Sequence, residues 1–117
     1  MSDDDDDAAQ LEGDRKTVAS LLALGDPLTK ARLVDHWVYF ATAAARDRFL
    51  DEVVRLGFTV ADAHDEGKGP NPSCACVSRV DHVDLESIHR VVMTLFAAAK
   101  RHAGDYDGWE CPVEAAN

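Results

Sequence analysis

The sequence predicts an α+β sandwich: an extra N-terminal helix, then the order β-α-β-β-α-β, giving a four-stranded antiparallel sheet with its helices on one face. Two aromatic segments, Asp35-His36-Trp37-Val38-Tyr39-Phe40 and Tyr106-Asp107-Gly108-Trp109-Glu110, read as strands and hold both tryptophans and both tyrosines. Apolar residues recur at spacings of three and four over residues 45–56 and 85–99, the mark of two amphipathic helices. Those helices follow the first and third strands only, so both crossovers fit on the same side of the sheet.

The elements follow in order. Residues 1 to 9 are dominated by the run Asp3 to Asp7, and mutual repulsion predicts a disordered acidic tail. A first helix is expected over residues 9–24, with Leu11, Val18, Leu21 and Leu22 near one face and Gly25 after its end. Asp26-Pro27 breaks the pattern. The first strand is expected over residues 33–40, with Val34, His36, Val38 and Phe40 facing the core and Asp35, Trp37 and Tyr39 facing the other way. Thr42 can cap the second helix, whose apolar residues are Ala45, Phe49, Val53 and Leu56, and Gly57 ends it. Phe58 to Ala61 begins a second strand, and the glycines and prolines of residues 64–72 predict a mobile loop. A third strand is expected over residues 73–80. Asp84 caps a long third helix with the stripe Leu85, Ile88, Val92, Leu95, Phe96 and Ala99, closed by Gly104. The last strand is expected over residues 106–113, at an edge because of Pro112. This is a ferredoxin-like split βαβ order, with the first and third strands central. The domain is expected over residues 10–114, with 115–117 as a short tail.

A chain of 117 residues buries roughly two thirds of its unfolded surface, enough for one core. With 22 acidic and 12 basic residues, the net charge of -10 opposes direct binding to nucleic acid or to an anionic membrane. The same charge attracts basic protein surfaces. No apolar run approaches the ~20 residues of a membrane span, and the acidic start is unlike a signal peptide, so a cytoplasmic protein is expected. An odd number of irregularly spaced cysteines agrees with a reducing compartment.

Trp37 and Tyr39 share the strand face opposite the aliphatic one. Simple alternation adds Tyr106 and Glu110 to that side, and these four are the candidate partner-binding residues. A protein partner, the N-terminal helix or a second copy of the chain in a homodimer could cover them. Trp109, in step with Cys111 and Val113, is expected to face the helices, with Asp107-Gly108 forming a bend. Cys74 and Cys76 lie in a row on one strand, a poor tetrahedral geometry, and read as small buried hydrophobes. His36 reads as a packed, hydrogen-bonded core histidine, and His64 and His82 as loop residues. No nucleophile elbow is present, and Pro70 spoils Gly67-Lys68-Gly69 as a phosphate nest. No catalytic residue, cofactor or metal ligand is expected.

Four segments in order carry a resemblance: Gly25-Asp26-Pro27-Leu28-Thr29-Lys30, Asp35-His36-Trp37-Val38-Tyr39-Phe40, Cys76-Val77-Ser78-Arg79 and Tyr106-Asp107-Gly108-Trp109-Glu110. Over residues 15–113 the chain resembles the RraB family, regulators that inhibit ribonuclease E. The resemblance implies a cytoplasmic bacterial protein without catalytic activity, which binds ribonuclease E through the enzyme's C-terminal scaffold region and alters which transcripts are degraded. It supplies no active-site residues. Two other readings of the same scaffold are an acidic, immunity-type protein binding a different basic partner and a small ligand-binding domain or enzyme.

Overall fold

A computed structural model describes residues 3–66 and 69–116 of the protein. The elements are α1 (Asp3–Ala23), β1 (Arg32–Phe40), α2 (Ala43–Arg55), β2 (Thr59–Asp65), β3 (Ser73–Asp81), α3 (Leu85–Arg101) and β4 (Asp105–Glu110). The strands form one antiparallel sheet in the order β2-β3-β1-β4. This is the predicted split arrangement, with β1 and β3 central and β4 at an edge.

Local chemistry sets the helix starts. The Thr42 side chain accepts a hydrogen bond from the Ala45 N–H at 3.1 Å, and Asp84 accepts one from the Ser87 N–H at 3.1 Å. Each satisfies an amide that the first helical turn leaves unpaired. Strand alternation then sends Val34, His36, Val38 and Phe40 of β1 toward the helices, where they are fully buried. They meet Phe49 and Val53 of α2, and Ile88, Val92 and Leu95 of α3. Each such aliphatic or aromatic side chain contributes roughly 1.5–3 kcal/mol over its exposed state. The turn after α3 is tight: a Cβ at Gly104 would overlap the Phe40 ring, so the chain passes there only without a side chain.

α1 lies along α3 and adds Val18 and Leu21 to the same core, which makes it a third member of the helical layer. Its bounds differ from the sequence reading. The helix begins at Asp3, so the expected tail is helical over its described residues, and Met1 and Ser2 fall outside them. Two forces overcome the repulsion. Carboxylates in a first turn face the positive end of the helix dipole. Asp6 also pairs with Lys100 at 2.6 Å, and Asp7 with His89 at 2.8 Å, both on α3. Leu22, expected on the buried face, is exposed, and Asp14 takes a place in the buried stripe. Leu56, also assigned to a core face, caps the end of α2 and is exposed.

β2 runs on to Asp65, which places His64 on a strand, while β4 stops at Glu110 and leaves Pro112 outside the sheet. Gly67 and Lys68 of the expected loop lie outside the described residues.

A buried ion pair ties the connection between α1 and β1 to the segment after β4. The Arg32 guanidinium pairs with the Asp26 carboxylate through both terminal nitrogens and also donates to the Pro112 carbonyl at 3.1 Å. Asp26 further accepts from the Leu28 and Glu114 amides, at 2.9 and 3.0 Å. The Arg32 hydrogen bond holds its carboxyl far below the usual range against the opposing effect of burial, with the two amides adding to the effect.

Candidate docking face

With all three helices on one side, the other side of the sheet is a surface of alternate strand residues. Strand register arranges it in rows. Leu33 lies beside Val80, and both are exposed, at 52% and 61%. Next comes Asp35, between Ser78 on β3 and Glu110 on β4. Trp37 follows, between Cys76 and Gly108, then Tyr39, between Cys74 and Asp105. On β2, Asp62 stands beside Cys76 and His64 beside Cys74.

The face is aromatic at its centre and acidic around it. Trp37 and Tyr39 are half-buried, and Asp62, Asp105 and Glu110 are exposed. The Ser78 hydroxyl donates to Asp35. His64 Nδ1 lies 2.5 Å from Asp62, and that hydrogen bond raises the imidazole's pKa. Among the described residues, the strand positions on this face include no lysine or arginine. Cys74 and Cys76 are buried free thiols, as expected for small hydrophobes. Burial, and then the neighbouring Asp35 carboxylate, push Cys76 up to about 11, which favours the neutral thiol over the nucleophilic thiolate at neutral pH.

Of the four candidate partner-binding residues, Trp37, Tyr39 and Glu110 lie on this face and Tyr106 does not. Tyr106 is 6% exposed and points into the helical layer, where its hydroxyl lies 2.8 Å from His36 Nδ1. The cause is a β-bulge. Trp37 pairs with Gly108 and Val38 with Tyr106, leaving Asp107 as an extra residue. That extra residue resets the alternation and brings Tyr106 and Trp109 to the same side. Gly108 sits in the bulge at φ +157°, a conformation that side chains disfavour.

Behind β4 the polar groups hold structure together. Trp109 Nε1 donates to Asp14 at 3.0 Å, and the other Asp14 oxygen contacts His89 Nδ1 at 2.8 Å. A cleft of about 300 Å³ lies between α1 and β4, with Asp14 and Trp109 in its lining. His36, buried as expected, is held neutral: burial, aided by the Arg79 charge, lowers its pKa to about 3. Burial raises that of Tyr106, so their contact joins two neutral groups.

Sequence reading placed Asp35 on the Trp37 side but passed over Leu33, Val80 and Asp62 as contributors to one surface, because only strand register brings them together. It also missed Asp14. The signal was there: an acid four residues before Val18 and seven before Leu21 falls on an apolar helix face.

Fold and face together define an α+β sandwich of the split βαββαβ class whose uncovered sheet side is aromatic and acidic. The chain belongs to the RraB family: the family model, Regulator of ribonuclease activity B, matches residues 11–111, from the middle of α1 to just past β4. Comparison with curated proteins gives no match. Among the described residues no helix is long and apolar enough to cross a membrane.

Proposed function

We propose that this protein is a non-catalytic regulator which inhibits or redirects a ribonuclease E-type enzyme in the cytoplasm by binding it directly, with the uncovered sheet side as the contact surface. The observation that carries this reading is the make-up of that side: Trp37 and Tyr39, exposed Leu33 and Val80, and a surround of carboxylates with, among the described strand residues of that side, no lysine or arginine. Each buried aromatic ring can remove about 150–250 Å² from water, and tryptophan and tyrosine are frequent interface anchors. The carboxylates favour a basic partner and repel a second copy of the same face or an RNA backbone. Regulation is then stoichiometric: the bound protein occludes RNA or other proteins from a basic segment of the nuclease and transforms no substrate.

The experiment is an RNA-cleavage assay with a purified ribonuclease E-type enzyme and increasing amounts of this protein, at low and at high salt. The expected result is saturating inhibition, or an altered cleavage pattern, that weakens as salt screens the charges. Unchanged cleavage at a large excess of the protein counts against the reading, and a salt-independent effect counts against its electrostatic part.

A further inference from the structure

We propose that the Trp37 row is built for an arginine side chain of the partner, with its guanidinium flat against the indole and paired with Asp35 and Glu110. This assignment rests on the docking face proposed above and names the group that the face recognises.

Three features of this row converge. Asp35 and Glu110 are direct cross-strand neighbours on the same face, a like-charge pair that is unfavourable by itself. Ser78 hydrogen-bonds Asp35, but among the described residues no cation of the chain pairs with either carboxylate. A cation brought by a partner relieves that repulsion. Next, Trp37 is flanked unequally. On its β3 side stands Cys76, buried although it lies on the uncovered face. On its β4 side stands Gly108, where a Cβ would meet nothing within 4 Å. The bulge thus leaves a vacant place beside the indole, one residue pair away from the two carboxylates. Lastly, the shape suits a guanidinium better than an ammonium. A planar, weakly hydrated cation can stack on an aromatic face and donate to two carboxylates in its own plane, whereas a lysine ammonium is a compact, strongly hydrated point charge.

The test uses the full chain and two capped glycine–serine peptides, identical except that one carries arginines where the other carries lysines. The indole N–H resonances of Trp37 and Trp109 are followed by NMR at low salt. Trp109 serves as the internal control, because its Nε1–H is bound to Asp14 on the helical side. The arginine peptide should shift the Trp37 resonance and bind about tenfold tighter than the lysine peptide. Asp35→Asn, which keeps an acceptor for Ser78, and Glu110→Gln, on an exposed position, should each reduce that preference. Equal affinity for the two peptides overturns the arginine assignment while leaving a cation-binding face in place. Shifts at Trp109 with none at Trp37, or no binding of either peptide, overturn the face as well.

Discussion

At the scale of single residues, His36 and Tyr106 illustrate how one bulge decides a side chain's role. The unfolded chain takes up a proton at this histidine near pH 6.5, whereas in the fold burial and the Arg79 charge hold its pKa at about 3. Its contribution is therefore complete above pH 6.5 and is lost as the pH falls toward 3. Denaturant titrations between pH 6.5 and 4 should show stability falling with acid at a slope approaching ~1.4 kcal/mol per pH unit, and His36→Gln should flatten it. Below that window Asp26, Glu52 and Asp84, whose pKa values are lowered chiefly by hydrogen bonds from Arg32, Arg101 and Ser87, add their own losses. Gly104→Ala tests a different constraint. Its new methyl would overlap the Phe40 ring, and thermal melts should report a loss of about 1–3 kcal/mol. The burial of His36 was legible because β1 alternates without interruption. The orientation of Tyr106 was not, because Asp107-Gly108 shows in the sequence that a bend is present but not which residue the ladder leaves unpaired.

At the scale of elements, α1 is attached in two different ways. Its second half inserts Val18 and Leu21 into the core, whereas its first half meets α3 through Asp6–Lys100 and through His89, held between Asp7 and Asp14. Burial alone would lower the His89 pKa, but the hydrogen bonds to Asp14 and Asp7 raise it. A histidine with a raised pKa stabilises its contact fully below its unfolded value near 6.5 and loses it as the pH rises through the folded value. Hydrogen exchange over residues 5–13, corrected for intrinsic rates, should therefore lose protection with rising pH and with added salt, while β1 and β3 stay protected. His89→Ala should reproduce that loss, worth about 1 kcal/mol, at every pH. The clasp between Asp26 and Arg32 makes a larger prediction. Asp26→Ala leaves a buried guanidinium without its carboxylate and should cost about 3–5 kcal/mol in equilibrium unfolding. α2, α3 and the four strands were legible because their patterns are local, although β2 runs further and β4 stops earlier than expected. The start of α1 was not, since the groups that hold its aspartates lie more than eighty residues away on α3.

At the scale of the whole molecule, one arrangement governs the rest: three helices share one side of a four-stranded sheet, leaving the other side as a continuous aromatic and acidic surface. The split order of elements was legible from where the helical patterns fall, and membership of the RraB family gives the fold its setting in the regulation of ribonuclease activity. What the sequence alone left open was which partner covers Trp37 and Tyr39, because the N-terminal helix was one contender. The structure answers for that helix by packing it on α3. In the function proposed above, the uncovered sheet side engages the nuclease, with Trp37 at its centre. The most direct measurement is a calorimetric titration of a ribonuclease E-type enzyme with the native protein and with Trp37→Ala, each first shown to be folded by its thermal melt. The native chain should bind stoichiometrically, and the variant should lose ~30-fold or more in affinity, the scale of an interface anchor. A folded Trp37→Ala protein that binds the nuclease as tightly as the native chain would contradict it.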